Sequence, residues 1–517
     1  MPPDRTHLAC LRCRKKKRRC NGQQPCRNCS NAVQECMYDE PPKRRLSENP
    51  LQAPRNAAEG TPMHSSTERN TELNSGGILA KRLGLWTDTC PVGGARLCSW
   101  NLRLRKEPRY MRGTRPLTEI LSSTHLHHLT GIYFQEIQPV YKFLDRDMLD
   151  TAVAALQRDE LPDRSMESVL LGVAALACLF SEQETTLEDE IIQNARASLE
   201  YSTTLESPTV NHVVAWLLRV IFLRFNGSPN AAWIASCTLM HMVETVNLHL
   251  DSLSGNSSAP TDGRYSPRLK RQIYCTAQIF NTWISYEYGK PRVIPRDAPH
   301  IAALEGWTVV DQVIWRLSEA LDPNLHVEST ELEDMLSQVV ELQPTHSAVQ
   351  LKRCNIALCI YRRLRVSGRT ISKEAIDHIL RIVDDGIFHA TEMTKRKLPW
   401  WHILNVPFQV ICVLLAIDTK ESLQRVGKSF QTLQFIAHEY GTEAIDKTWE
   451  SACTLLAIQS RRKKEDLDIL TRIEDDLTTG EPAGIEFNPS QGFDEDFLNS
   501  GMLWDLDQIL STNICGL

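Results

Sequence analysis

The sequence predicts a large all-α domain that follows a small cysteine-rich module of two short helices, with a disordered linker between them and an acidic C-terminal tail. Three observations support this organisation. Six of the sixteen cysteines fall between residues 10 and 36, apolar residues recur every three to four positions from Pro116 onward, and charge is separated along the chain. The predicted ranges are 6–45 for the module, 46–115 for the linker, 116–460 for the helical domain and 475–517 for the tail.

The cysteine-rich module has the spacing C-x2-C-x6-C-x5-C-x2-C-x6-C, two near copies of one half. The residues before it lack the apolar region of a signal peptide, so we expect an intracellular protein whose reduced thiols bind metal. One tetrahedral Zn2+ uses four thiolates, and two need eight ligand positions, which six thiolates supply only if two of them bridge. The spacing therefore predicts a binuclear cluster with two Zn2+ per chain. Its ligands would be Cys10, Cys13, Cys20, Cys26, Cys29 and Cys36.

Every residue between Cys13 and Cys20 is basic, and residues 1–45 carry twelve Lys or Arg against four Asp or Glu, a balance of +8. Such a polycation suits the phosphates of nucleic acid. For the cysteines the alternatives are a disulfide knot, a thiol-rich metal buffer or chance, and for the cations a solvated face or a nuclear-import signal. The predicted contacts to double-stranded DNA are Arg14, Lys15, Lys16, Lys17, Arg18, Arg19, Arg27, Lys43, Arg44 and Arg45.

The module resembles the fungal Zn2Cys6 (zinc binuclear cluster) transcription factors. The resemblance rests on the pattern A-C-x-x-C-R-x-[KR]-K-x-[KR]-C at 9–20, on Pro25 in the loop, and on C-x-x-C-x6-C at 26–36. It implies that Cys10 and Cys26 bridge the metals and that the C-terminal end of the first helix enters the major groove. Lys16 and Lys17 would then reach a CGG triplet, and the other cations would lie on phosphates.

The linker and the stretch after it give no clear signal for a dimer. Residues 46–77 are polar and without aromatic side chains, which is typical of a flexible segment. A coiled coil follows the linker in many relatives, but here the apolar positions Ile78, Leu79, Leu83 and Leu85 fill fewer than two heptads. The sequence therefore leaves a homodimer possible but undecided. Pairing of two chains would depend on the helical domain.

Helical periodicity dominates from Pro116 onward, in the ranges 125–143, 166–180, 211–225, 231–249, 268–288, 348–364 and 373–393. The apolar stretches Val169–Phe180 and Val410–Ile417 are shorter than the ~18–20 residues of a membrane span, so we expect buried helices and no membrane partner. We also expect the Trp400-Trp401-His402 stretch to serve packing.

This region resembles the fungal-specific transcription factor (middle homology) domain, which the family uses for regulation. The motifs are Leu129-x3-Tyr133-Phe134-x4-Pro139-x3-Phe143-Leu144, Ala232-Trp233, Asn247-Leu248-His249-Leu250, Arg268-x2-Arg271-x2-Tyr274, Phe280-Asn281-x-Trp283 and Gly289-Lys290-Pro291. Relatives usually have Gly where this chain has Asn247. No phosphate loop, nucleophile elbow or zinc-protease motif is present, so we expect no enzyme activity.

The tail interleaves acids with bulky apolar groups, and residues 465–517 carry thirteen Asp or Glu against one Arg, a balance of −12. This composition is typical of activation segments that fold on a coactivator. Docking of the tail onto the helical domain is the alternative. The predicted contact residues are Phe493, Phe497, Leu503, Trp504 and Leu506.

Together these observations predict a nuclear, zinc-dependent, sequence-specific transcription factor of RNA polymerase II that reads CGG-type half-sites and activates a metabolic or developmental gene programme. Two alternatives remain. One is a DNA-binding repressor, and the other is a regulator whose helical domain binds a small molecule.

Overall fold

The computed structural model places two compact units along the chain, residues 1–63 and 64–517. It describes residues 10–18, 20, 26–32, 36–37, 115–158, 160, 162–181, 187–205, 207–251, 264–296, 307–322, 325, 327–368 and 370–479. Nearly all of the predicted linker and most of the predicted tail, including its five contact residues, lie outside these ranges. So do Arg19 and the basic residues 43–45.

The first unit contains two short helices, α1 (Leu11–Lys15) and α2 (Arg27–Ser30), as the sequence predicts. Each helix begins directly after a cysteine, Cys10 for α1 and Cys26 for α2. A backbone hydrogen bond of 2.9 Å from the amide of Leu11 to the carbonyl of Met37 joins the start of α1 to the end of the module. Few apolar side chains are available here, so metal ligation has to supply most of the folding energy.

The described residues of the second unit form helices and the turns that connect them, with no strand among them. Its first helices are α3 (Leu117–Ile120), α4 (Ser123–Ile132), a π-helical segment (Tyr133–Ile137), α5 (Gln138–Tyr141), α6 (Arg146–Gln157), α7 (Arg164–Leu179), α8 (Glu188–Leu205), α9 (Val210–Asn226), α10 (Pro229–Thr245) and α11 (Leu248–Asp251). The remainder are α12 (Pro267–Tyr288), α13 (Val309–Glu319), α14 (Ser329–Glu341), α15 (Ser347–Val366), α16 (Lys373–Lys395), α17 (His402–Ile417), α18 (Lys420–Tyr440) and α19 (Glu443–Thr479).

Local sequence signals explain where many of these helices begin. A Ser, Asp or Thr precedes them, and its side-chain oxygen accepts a hydrogen bond from an amide of the first turn. The N-cap residues of this kind are Ser122, Asp145, Asp163, Ser228, Ser266, Thr308, Ser372 and Thr419. The predicted all-α class is confirmed, and α7 and α17 are the buried core helices expected from their apolar stretches. Among the described helices none is long and apolar enough to cross a membrane.

The aromatic stretch before α17 lies inside the core. Trp400 is 1% exposed and packs edge-to-face on Phe180 and Phe225, with ring centroids 5.5 and 5.4 Å away. Trp401 stacks on His402 at 3.7 Å. Burial holds the pKa of His402 well below its usual range, so the ring is neutral at physiological pH. The stretch therefore packs in the core, as the sequence predicts.

Two local features go beyond the sequence pattern. Asn247, at a position where relatives usually have Gly, adopts φ 58°, a left-handed conformation that Asn tolerates better than most residues with a Cβ. The last helix, α19, continues to Thr479, beyond the predicted domain end at 460 and into the predicted tail.

Candidate zinc centre and DNA-binding surface

The six cysteine sulfurs of the first unit come together in two groups of four. Within each group the sulfur atoms all lie within 4.8 Å of one another. Cys10 and Cys26 belong to both groups. The first group consists of Cys10, Cys13, Cys20 and Cys26, and the second of Cys10, Cys26, Cys29 and Cys36.

The spacing of these sulfurs fits tetrahedral zinc. Sulfurs bound about 2.3 Å from one tetrahedral Zn2+ lie about 3.8 Å apart. The Sγ of Cys10 lies 3.7 Å from the Sγ of both Cys26 and Cys29, and that of Cys13 lies 3.6 Å from that of Cys26. None of the described cysteines forms a disulfide. The arrangement thus suits two Zn2+ that share two thiolates, and it is too open for disulfide bonds.

Hydrogen bonds from the chain support the sulfur atoms. The amide of Cys13 donates to the Sγ of Cys10 at 3.4 Å and caps α1, and the amide of Cys26 donates to the Sγ of Cys36 at 3.1 Å. The side-chain amide of Asn28 lies 3.9 Å from the Sγ of Cys13. Such donors stabilise thiolates and orient metal ligands. Only the first of these bonds follows from the spacing, because an N-cap side chain accepts from the amide two or three residues further on.

The crowded sulfurs have divergent pKa values. Burial and hydrogen bonds with Cys10 and Cys26 raise the pKa of Cys13 to about 12, and burial and hydrogen bonds with Cys26 and Cys10 raise that of Cys29 to about 12. Burial also acts to raise the pKa of Cys26, but the hydrogen bonds that it accepts outweigh burial and lower the pKa to about 6. The thiols around Cys26 thus stabilise its thiolate but resist ionisation themselves, and bound cations are needed to hold all of them as thiolates.

Arg12 also contacts this cluster, although the sequence pattern did not single it out. Its guanidinium lies near the thiol of Cys29 and acts to lower the pKa of that thiol. Arg12 is half-buried, whereas the cations that follow it are exposed. The sequence holds no signal for this difference, since only the direction of the Arg12 side chain toward the sulfurs separates it from the cations that follow Cys13.

The basic run leaves the helix in a tight turn. Lys17 has φ 49°, and two amide bonds close a Schellman turn, from Arg18 to the carbonyl of Cys13 at 2.9 Å and from Lys17 to that of Arg14 at 3.2 Å. Glycine is the usual residue at such a position, and a residue with a Cβ is strained there. Among the residues that the structure describes, all the predicted DNA contacts of this module are exposed. They are Arg14, Lys15, Lys16, Lys17, Arg18 and Arg27.

Comparison with known sequences places both units in one group of proteins. The profile of the Fungal Zn(2)-Cys(6) binuclear cluster domain matches residues 8–45, and that of the Fungal specific transcription factor domain matches residues 130–300. Transcription factor kojR of Aspergillus oryzae is 34% identical over 478 residues, which cover 90% of this chain and 85% of kojR.

Two further relatives extend the comparison. Protein RDR1 of Gibberella zeae is 33% identical over 491 residues, 91% of this chain and 89% of its own. Probable transcriptional repressor C1348.12 of Schizosaccharomyces pombe is 26% identical over 262 residues, 47% of this chain and 61% of its own.

Proposed function

Because the chain belongs to the fungal Zn2Cys6 transcription factors, with a cluster that binds two zinc ions and no role as an enzyme, we propose that it reads CGG-type half-sites in promoter DNA. The observation that carries this proposal is the exposed basic run at the end of a helix whose first turn is fixed by metal ligands. Within the cluster, we propose Cys10 and Cys26 as the bridging ligands, since they alone belong to both sulfur groups.

The cations of the module have different roles in this proposal. Lys16 and Lys17 lie where α1 ends and would donate to the O6 and N7 atoms of guanine in the major groove. Arg14, Lys15 and Arg18 would contact phosphates, which fix the position of the module without selecting a sequence. Arg19, Arg27 and the basic residues 43–45 would extend these phosphate contacts.

Selection of bound sites from a random DNA pool tests the DNA-reading proposal. We expect enrichment of CGG triplets by the full-length zinc-loaded protein, and the symmetry and spacing of the triplets report whether one or two chains bind. A pool without a CGG triplet would contradict the proposal. Loss of enrichment in the presence of a chelator is the matched control, because the module needs metal to fold.

We further propose that the protein acts in the nucleus on RNA polymerase II promoters and that residues 475–517 activate transcription through coactivators. The alternation of acids with Phe493, Phe497, Leu503, Trp504 and Leu506 supports this role. A fusion of residues 475–517 to a neutral DNA-binding domain should raise reporter expression, and Trp504→Ala should lower it. Repression is the second candidate, which the name of the Schizosaccharomyces relative favours. A fusion without reporter signal would contradict the activating role of the tail.

A pocket in the helical unit favours a third role, binding of a small anion. Lys352 lines this pocket with Lys142, Asp311, Trp307 and Phe280, among other residues. The Lys352 side chain is 7% exposed, and burial lowers its pKa to about 8. A ligand carboxylate would raise that pKa again by stabilising the charged form. Thermal-shift measurements with a panel of carboxylates should show stabilisation that Lys352→Met abolishes, and a panel without a hit would count against this role.

A further inference from the structure

The pocket that Lys352 lines is small, and four distant segments of the helical unit form it. Its walls come from the end of α5, from α12, from the start of α13 and from α15. The cavity volume is about 30 Å³, which is enough for about two water molecules. An anion that lies wholly inside this cavity therefore has about three or four non-hydrogen atoms.

Polar contacts join the walls of the pocket to one another. The ammonium of Lys142, at the end of α5, lies 2.6 Å from a carboxylate oxygen of Asp311 on α13. In the orientation that satisfies both partners, the side-chain amide of Gln272 donates to the carbonyl of Lys142 and accepts from Nε1 of Trp307, each at 3.1 Å. These bonds fix the walls before a ligand enters, so binding has little to order.

Lys352 lacks a counter-charge among the described residues. Its side chain is buried, and its ammonium lies over the ring of Tyr141, 5.1 Å from the ring centroid. No residue in the described ranges accepts a hydrogen bond from this ammonium or forms an ion pair with it. A ring face attracts a cation less strongly than an anion does, and a buried charge is unfavourable until an anion compensates for it.

The other charged groups around Lys352, and around the two histidines on which it acts, come in ion pairs. Burial lowers the pKa of His346 and of His402 from the usual value, so both rings are neutral at physiological pH. The pairs are Lys142 with Asp311, Arg396 with Glu136, and Arg224 with Glu287. Within the described part of the chain the pocket therefore has one uncompensated positive charge, which a monovalent anion would neutralise.

We propose that Lys352 binds one small monocarboxylate, of the size of formate or acetate, inside this pocket. This ligand class rests on the anion-binding role of the pocket proposed above, to which it adds a size and a charge. The carboxylate would accept a hydrogen bond from the ammonium of Lys352. The apolar side chains of Ile279, Phe280 and Ile314 also line the pocket, and they favour an anion with an apolar end over an inorganic oxyanion.

Thermal unfolding of the full-length zinc-loaded protein with sodium carboxylates tests the size limit. At constant pH and ionic strength, formate and acetate should raise the unfolding midpoint as their concentration exceeds the Kd, and hexanoate should bind at least tenfold more weakly. Hexanoate that binds as tightly as acetate would overturn the size limit and leave the carboxylate role of the pocket intact, since only the head group would then enter. A protein that responds to no carboxylate would contradict both.

Substitution of Lys352 tests whether its ammonium holds the ligand. Lys352→Met keeps an unbranched side chain and removes the charge, so it should abolish the response to acetate, and helical content shows whether the variant remains folded. Lys290→Met is the matched control, because the exposed ammonium of Lys290 also lies over a tyrosine ring, 5.5 Å from the centroid of Tyr288. This control should respond as the unsubstituted protein does. A folded Lys352→Met protein that still responds to acetate would overturn the proposal.

The ion pair beside Lys352 tests the charge of the ligand. Asp311→Asn removes a negative charge from the pocket and should tighten acetate binding at least threefold, whereas Lys142→Met removes a positive charge and should weaken it at least threefold. Changes of affinity in the same direction for both variants would show that charge balance does not control binding, and would overturn the proposal. Sulfate that binds the unsubstituted protein more tightly than acetate, in a response that Lys352→Met removes, would contradict a monovalent ligand.

Discussion

We expect Lys17→Gly to strengthen the fold of the zinc module and at the same time to weaken its binding to specific DNA. The backbone of Lys17 is left-handed, with φ 49°, and the side chain is exposed at the end of α1. A left-handed conformation costs a residue with a Cβ roughly 1–2 kcal/mol, and the greater freedom of glycine in the unfolded chain offsets about 0.5–1 kcal/mol of the relief. The expected net gain is about 0.5–1 kcal/mol.

The loss of the lysine side chain acts on DNA binding. One good contact between lysine and guanine contributes roughly 1–3 kcal/mol of discrimination, which corresponds to a loss of about 5- to 150-fold in affinity for the preferred site. A phosphate contact alone would weaken the binding of every duplex about equally. Lys17→Ala is the matched control, because it removes the amine and retains the strained backbone.

Two measurements on the full-length zinc-loaded protein separate these effects. The first is affinity for the selected site and for a random duplex at one salt concentration. Both variants should lose more affinity for the selected site than for the random duplex. The second is the rate of zinc release to a chelator, which should be slower for Lys17→Gly than for Lys17→Ala. Equal losses on both duplexes would refute the base contact, and equal release rates would refute the argument from strain.

Three further predictions concern the cluster and the helical core. Cys26→Ala should release both zinc ions because Cys26 belongs to both sulfur groups, whereas Cys20→Ala should retain one zinc ion. Metal analysis that finds two zinc ions per Cys26→Ala chain would rule out Cys26 as a bridging ligand. Burial keeps the folded pKa of His402 well below 6.5, so the unfolded chain binds a proton that the folded chain does not. Stability of the helical unit should therefore fall as pH drops below about 6.5, by up to about 1.4 kcal/mol per pH unit, and His402→Phe should flatten this slope in denaturant titrations. A Cβ on Gly386 would lie 2.5 Å from a cysteine sulfur of α15, while a Cβ on Gly427 meets nothing within 4 Å. Gly386→Ala should thus destabilise the unit by about 1–3 kcal/mol, and Gly427→Ala should stabilise it by about 0.5–1 kcal/mol. Changes of the same sign in the thermal unfolding midpoints of both variants would contradict this packing argument.

Much of the zinc centre could be predicted from sequence because its determinants are local. Ligand type, ligand number and the three-residue spacing of Cys10–Cys13 and Cys26–Cys29 fix which sulfurs a short helix presents together. The helical class followed from periodicity, and N-cap residues such as Ser266 and Ser372 mark where helices begin. The roles of individual DNA contacts and the domain bounds stay predictions.

By itself, then, the sequence determined a zinc module, its six sulfur ligands and an all-α body, since composition and short-range spacing are sufficient for these. The tertiary structure alone decided which surfaces are covered. It buried Trp400 and the neutral ring of His402, set Lys17 in a left-handed turn, turned Arg12 toward the cluster, and left Leu470 of α19 exposed. Burial depends on contacts between residues far apart in the chain, and periodicity cannot tell a face that meets the core from one that meets solvent.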